Sequence, residues 1–198
     1  MKTLVQSDFD GTITLEDESF LLLDAVADGD CRQWLTEYQQ GRISVSNFNT
    51  RAFAMVKADR QPLVDFVRRT ARMRAGFHEL LAYCRRKGFQ FVIVSNGLDF
   101  YISTVLRDIG AESIEVFSAQ TRFSPTGLEV EYVGPGGSQL QDGFKEAYIR
   151  LFLNRGYRVV YLGNGLSDVP SARLAHHVFA TGELLDYCRE MNLNCTPF

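Results

Sequence analysis

The sequence predicts an α/β protein built on a Rossmann-like, mostly parallel sheet core. Three observations carry this reading. Short apolar, β-rich runs alternate with amphipathic stretches of helical length, and each run ends in a polar, glycine-containing turn. The third is size: 198 residues with 45% hydrophobic content are enough for one good core and a smaller accessory unit.

The elements follow in order along the chain. Residues 3–9, 89–95 and 157–162 read as buried strands, and residues 176–181 (HHVFAT) as a weaker fourth. Helical periodicity is clear over 76–88, where Phe77, Leu80, Leu81 and Cys84 share a face and Gly88 follows as a stop. It recurs over 99–109, 143–154 and 182–191. The stretch between the first strand and the helix at 76 reads as helix throughout, with Gly29, Gly41 and Pro62 as punctuation. A strand-helix-strand crossover does not need so much chain. The division that follows is a core domain of residues 1–14 and 75–198, with a helical cap domain of residues 15–74 placed over the end of the first strand. Residues 114–133 alternate in period two around Pro125-Thr126-Gly127, which predicts a β-hairpin followed by a glycine-rich loop.

Composition excludes several function classes. A net charge of -3 and the lack of any basic cluster interleaved with aromatics argue against a nucleic-acid partner. No apolar run approaches membrane-spanning length, so no membrane partner is expected. Cys31, Cys84, Cys188 and Cys195 match no zinc spacing and read as reduced thiols of a cytoplasmic protein. The oligomeric state is left open.

The chemistry begins at VQSDFDGTIT, residues 5–14. Here an apolar strand delivers Asp8, Asp10 and Thr12 to its C-terminal rim, where open α/β sheets bind ligands. Taken alone, the aspartates serve equally as turn formers and helix caps. Three further segments carry matching polar groups. FVIVSNGLD ends a strand in Ser95, Asn96 and Gly97, offering a hydroxyl and backbone N–H groups ahead of a helix, though Ser-Asn-Gly is also a common turn. Lys145 in QDGFKEAYI lies near a helix start, where a lone lysine is ordinarily solvated. YLGNGLSD brings Asn164 and Asp168 after a strand, with helix capping as the alternative role for Asp168.

As an ordered set these four segments resemble the haloacid dehalogenase-like phosphatases, over nearly the whole chain. The resemblance implies Asp8 as nucleophile, Asp10 as general acid and base, and Thr12 with Ser95 as phosphate donors. It implies Lys145 as a charge neutraliser and a Mg²⁺ cofactor held by Asp8, the main-chain carbonyl of Asp10, Asn164 and Asp168. The first polar position of the last segment is usually aspartate in the family, and here it is Asn164. The insertion after DFDGT, the stretch SNGLDFYISTVL and the ending LLDYCREMNLNCTPF are similar to one branch of the family. That branch includes phosphoserine phosphatase and, more closely, the methionine-salvage phosphatase of 2-hydroxy-3-keto-5-methylthiopentenyl-1-phosphate. Two departures stand out. Asp17 occupies the place of the phosphoserine enzymes' cap glutamate, with Glu16 and Glu18 beside it as substitutes. GPGGSQLQDGF replaces the salvage enzyme's cysteine-rich insertion.

The expected function is Mg²⁺-dependent hydrolysis of a small phosphorylated metabolite through an aspartyl-phosphate. Phosphoserine hydrolysis, phosphoryl transfer to an alcohol and non-catalytic binding of a phosphate ligand remain as alternatives. Specificity is expected from the insertion, with Asp17, Phe20, Arg51, Phe53 and Met55 at the rim. Arg51 is the candidate to bind a substrate carboxylate.

Overall fold

The computed structural model describes residues 2–27 and 31–198. Gly29 lies outside them, so its role as punctuation is not addressed. Among the described residues a seven-stranded sheet runs in the order β4-β3-β2-β1-β5-β6-β7. The strands are β1 (Thr3–Ser7), β2 (Gln90–Leu98), β3 (Glu115–Ser124), β4 (Gly127–Glu131), β5 (Arg158–Gly163), β6 (His177–Ala180) and β7 (Cys195–Pro197). All neighbours pair in parallel except β3 and β4, which form the expected hairpin with Ser124 opposite Gly127. The three-residue β7 carries almost no period-two signal, and the sequence pattern does not predict it.

β1 is the innermost motif-bearing strand, paired with β2 on one side and β5 on the other. Three parallel neighbours necessarily end on the same rim, so the segments after β1, β2 and β5 meet there. The apolar runs are explained by burial: Leu4, Val92, Ile93, Val94, Val159 and Tyr161 are completely shielded from solvent. Helices α5 (Phe77–Lys87), α6 (Asp99–Asp108), α7 (Phe144–Asn154), α8 (Val169–Ala172) and α9 (Gly182–Glu190) complete the crossovers. The face predicted on α5 is partly divided, with Phe77 and Leu81 joining the main core while Cys84 and Leu80 pack with Val5 and Leu162.

One strand differs from its expected form. β2 does not stop at Ser95 but continues to Leu98. Val94 pairs with Phe117 and Leu98 with Ala119, so four steps along β2 match two along β3. Ser95, Asn96 and Gly97 are therefore a bulge inside a strand, which re-aims their polar groups toward the rim.

Between β1 and α5 the chain forms α1 (Glu18–Val26), α2 (Arg32–Gln39), α3 (Val45–Phe53) and α4 (Arg60–Thr70). Asp17 caps α1 by accepting from the Phe20 amide at 3.0 Å, and Ser44 caps α3 by accepting from the Asn47 amide at 3.2 Å. Pro62 is not a break. It lies in the first turn of α4, where a missing N–H costs no intrahelical bond. The two ends of this insertion are joined: Thr14 bridges Met73 antiparallel, Leu15 N donates to Arg72 O and Arg74 N to Ile13 O, both at 2.8 Å. No helix among the described residues is long and apolar enough to cross a membrane.

Candidate active site

Beyond β1, Asp8 keeps one more ladder bond, its amide donating to Leu162 O at 2.9 Å. The chain then turns, and the amides of Thr12, Ile13 and Thr14 converge on the Phe9 carbonyl. The turn requires glycine at residue 11 twice over. Its φ of +68° is left-handed, and a Cβ there would sit 2.3 Å from the Asn164 Nδ2. Arg74 locks the turn from the returning end of the insertion, its Nε donating to Thr12 O at 2.7 Å and an Nη to Gly11 O at 2.8 Å.

Above this rim lies a cleft of about 740 Å³. Asp8, Asp10, Asp17, Ser95, Asn96, Gly97, Lys145 and Asn164 line it, so most of the residues named from sequence come together. Lys145 is almost fully buried between two carboxylates, 2.8 Å from Asp8 Oδ2 and 2.6 Å from Asp168 Oδ1. Burial alone would depress its pKa, but Asp168 and Asp8 outweigh that and hold the ammonium charged above its ordinary range. Far from being a solvated helix lysine, it is the central cation of the site.

Asp8 itself is pushed up to about 6, chiefly by burial, with Lys145 opposing the shift and Asp168 adding to it. Its Oδ1 accepts from the Phe9 amide at 2.7 Å. Asp10 is raised well above the carboxylate range, by burial first and then by the charge of Asp17. Its two oxygens accept from the Glu18 amide, at 3.1 Å, and from the Tyr101 hydroxyl. The rim thus holds one carboxylate paired with a cation and a second, without a cation partner, whose pKa burial raises, an asymmetry between two acids of the kind found at acid-base sites.

Several expected roles are revised by the geometry. Asp168 does not cap the following helix. Fully buried, it accepts four bonds: from Lys145 and the Tyr161 hydroxyl on Oδ1, both at 2.6 Å, and from the amides of Asn164 and Gly165 on Oδ2. Those four donors occupy the lone pairs a metal would need, so the carboxylate orders the loop and Lys145 instead of presenting a free ligand. Thr12 is not in the cleft lining and donates to Asn164 Oδ1 at 2.9 Å, which commits its hydroxyl hydrogen to the Asn164 loop instead of a substrate phosphate. Arg51 is exposed and stacks its guanidinium over Trp34, 4.7 Å from the ring centroid, outside the cleft. Phe53 is buried in the core, and Met55 is likewise absent from the lining, whereas Phe20 and Asp17 do face it. Asp17 has one oxygen committed to its helix cap. Neither Glu16 nor Glu18 reaches the cleft; the Glu18 carboxylate is buried against Thr70.

The oxygen donors that remain are the Asp8 carboxylate, the Asp10 main chain and the Asn164 amide oxygen. This is a hard, all-oxygen set of the kind Mg²⁺ accepts alongside waters and a substrate phosphate. Two carboxylates, Asp8 and Asp168, share Lys145, which among the described residues is the only cation lining the cleft, and Asp10 and Asp17 also face it, so the site has acidic groups in excess of cations.

Sequence reasoning missed Tyr101, Tyr132 and Asn49. Tyr101 binds Asp10, while Tyr132 and Asn49 both donate to the Asn96 carbonyl. Asn49 lies within α3, Tyr132 just beyond β4, and Tyr101 within SNGLDFYISTVL, a stretch that carries only an overall resemblance, so no local spacing marks any of them as a partner of the rim.

Comparison with known proteins agrees with this geometry. The family model for haloacid dehalogenase-like hydrolases matches residues 5–173. The chain is 31% identical over 196 residues to the 2-hydroxy-3-keto-5-methylthiopentenyl-1-phosphate phosphatase of Geobacillus kaustophilus, covering 96% of this chain and 88% of that protein. It is 25% identical over 202 residues to the phosphatase of the same name from Bacillus mycoides, covering 100% and 92%. Among solved structures, a phosphoserine phosphatase trapped as an analogue of its phospho-aspartyl intermediate shares the fold. Its TM-score is 0.69 at 16% identity, with 94% of this chain and 90% of that one covered. From its rim chemistry, sheet order and matched length together, the chain belongs to the haloacid dehalogenase-like hydrolase family.

Proposed function

We propose that this chain is a Mg²⁺-dependent phosphatase of a small phosphorylated metabolite, with Asp8 as nucleophile. The observation that carries the proposal is the pairing of Asp8 with buried Lys145, beside an Asp10 held by the Glu18 amide and the Tyr101 hydroxyl and raised in pKa by burial. A phosphate monoester is an anion, and a carboxylate attacks it only where positive charge offsets the repulsion. Lys145 supplies that charge from the protein, and Mg²⁺ held by Asp8, the Asp10 carbonyl and Asn164 supplies the rest. An Asp8 oxygen forms the bond to phosphorus as the ester oxygen leaves, and Asp10 gives that oxygen its proton. Asp10, now ionised, takes a proton from water as the water attacks the aspartyl-phosphate, returning Asp8 and releasing phosphate. Ser95 and the neighbouring backbone N–H groups donate to the phosphate oxygens.

Residues 15–74 act as the cap that closes over this site, and they supply its selectivity. Phe20, Leu35, Tyr38, Ile43, Val45 and Phe48 give the cap side of the cleft an apolar surface beside the polar Asp17, Ser19, Gln39, Ser44 and Asn49, and among the described residues Lys145 is the only cation lining it. An uncharged chain with hydrogen-bonding groups near the phosphate and an apolar end fits this mixed wall, as the hydroxy, keto and methylthio groups in the substrate named for the Geobacillus relative would. Phosphoserine fits poorly, because Arg51 is turned away and leaves its carboxylate without a partner. The buried thiols of Cys84 and Cys188 suit a reducing cytoplasm, where we place the enzyme.

The test is a screen of phosphate esters with Mg²⁺, including phosphoserine and 2-hydroxy-3-keto-5-methylthiopentenyl-1-phosphate, with Asp8→Asn as control. Turnover lost in the control and strongest for esters with uncharged apolar chains is expected. Turnover surviving in Asp8→Asn sinks the mechanism, and a preference for phosphoserine sinks the substrate class. Arg51→Ala should leave turnover unchanged.

A further inference from the structure

We propose that Asn49 and Tyr132 are positioning residues that aim the Ser95 hydroxyl at the substrate phosphate by fixing one peptide plane. The inference rests on the phosphatase reading above and concerns residues outside its motifs. Asn49 comes from α3 in the insertion, and Tyr132 from the chain just after β4. Both are buried, and both donate to one acceptor: Asn49 Nδ2 reaches Asn96 O at 2.9 Å and the Tyr132 hydroxyl reaches it at 2.7 Å. Asn49 Nδ2 also donates to the Tyr132 oxygen at 2.8 Å, closing a triangle of three bonds.

The carbonyl so held is half of the peptide joining Asn96 to Gly97. A trans peptide is planar, with C=O and N–H pointing in opposite directions, so fixing one fixes the other. The Gly97 N–H accordingly points to Ser95 Oγ, to which it donates at 3.0 Å. That bond occupies a lone pair of the serine oxygen. Among the described residues no acceptor holds the Ser95 hydroxyl hydrogen, and Ser95 lines the cleft, so the hydrogen is available to a phosphate oxygen. Ser95–Gly97 is a bulge outside the β3 ladder, and among the described residues no strand pairs with it, so side-chain donors bear on this peptide's orientation.

Two consequences follow. The insertion takes part in binding phosphate without touching it, through the Asn49 amide. By reciprocity, phosphate bound at Ser95 strengthens the docking of α3.

The experiment measures KM, kcat and inhibition by inorganic phosphate with Mg²⁺ present, for Asn49→Leu, Tyr132→Phe and Ser95→Ala and for each of the first two combined with Ser95→Ala. The expected result is a rise in KM and in the phosphate inhibition constant of about ten-fold for Asn49→Leu, the scale of one well-placed hydrogen bond, with kcat changing less. Tyr132→Phe should act in the same direction, and neither substitution should weaken phosphate binding further once Ser95 is alanine. A lowered melting temperature with unchanged KM and phosphate inhibition, or effects that simply add to that of Ser95→Ala, overturns the proposal. Should Asn49→Leu fail to fold, the Tyr132→Phe arm carries the same test. These outcomes leave the phosphatase reading standing, whereas wild-type protein that turns over no ester refutes both.

Discussion

The Thr12 hydroxyl donates to the amide oxygen of Asn164 at 2.9 Å, across 152 positions of sequence. In this contact the amide oxygen lies toward Thr12 and the nitrogen beside Gly11. A neutral amide oxygen binds a hard dication less strongly than a carboxylate does. Asn164→Asp keeps the acceptor for Thr12 and adds a charge, so the Mg²⁺ concentration for half activity should fall. Thr12→Val should raise it by releasing the amide. A titration of activity against Mg²⁺ reads both, and an unmoved midpoint in Asn164→Asp removes residue 164 from the ligand set.

Gly97 leaves room for the Asp10 carboxyl, the general acid and base of the proposed mechanism. A Cβ at this position would stand 2.1 Å from the Tyr101 oxygen and 2.3 Å from Asp10 Oδ2. Gly97→Ala should therefore drive Asp10 and Tyr101 apart and lower kcat by about 10²-fold, the scale of a lost general acid, in a protein that still folds. Retained kcat in a folded Gly97→Ala variant would show that the Asp10 position is not critical.

Titration should follow the raised carboxyl groups. Asp8 attacks only as the carboxylate, and its pKa is about 6 without metal, so turnover at low Mg²⁺ should fall as pH drops through that value. Saturating Mg²⁺ favours the ionised form and should move this acid limb to lower pH. Stability should run the other way. Asp8, Asp10, Asp17 and Glu18 are all raised, each with burial as the largest cause, so the folded state holds protons that the unfolded chain releases. Their contribution is full below the unfolded pKa near 4 and is lost as pH rises through the folded values. The exposed, lowered Glu37 and Asp108 oppose this only weakly. Metal-free protein should melt at a higher temperature at pH 5 than at pH 7.5, and Asp10→Asn should narrow the gap. A melting temperature that rises over this interval contradicts the assignment.

Arg74 joins the insertion's return to the catalytic turn, with its guanidinium on the Gly11 and Thr12 carbonyls and over the Phe198 ring at 5.1 Å. Arg74→Leu should cost about 2–3 kcal/mol of stability, since it strands two carbonyls from a charged donor. It should also lower kcat by loosening the turn that carries Asp10. Arg74→Lys should recover little, because an ammonium does not reproduce the planar fork. Denaturant unfolding together with steady-state kinetics reads both effects, and wild-type values for Arg74→Leu would refute them.

The core sheet was legible because parallel strands are buried on both faces and therefore read as continuous apolar runs ending in polar turns. The rim followed from the same logic: Asp8, Ser95 and Asn164 trail three strands that must end side by side. What stayed hidden depends on contacts between distant elements. Nothing near Arg51 reveals that Trp34 takes its guanidinium, and nothing near Asp168 reveals four donors around its carboxylate. Pro62 looked like a boundary because a proline in a first helical turn and one between helices have the same local signature. The bulge at Ser95–Gly97 resembled a strand end because only the register with β3 shows that the strand resumes.

The bridge between Thr14 and Met73 gives the inserted helices a single doorway, since the chain enters and leaves through one antiparallel contact. Beyond that doorway the insertion still reaches the core, with Asn49 Nδ2 on the Asn96 carbonyl of β2, Ser19 hydrogen-bonded to Tyr101 of α6 and Arg68 paired with Asp108. A different set of helices hung on the same doorway would therefore have to bring its own donor to the Asn96 carbonyl, or leave that peptide held by Tyr132 alone.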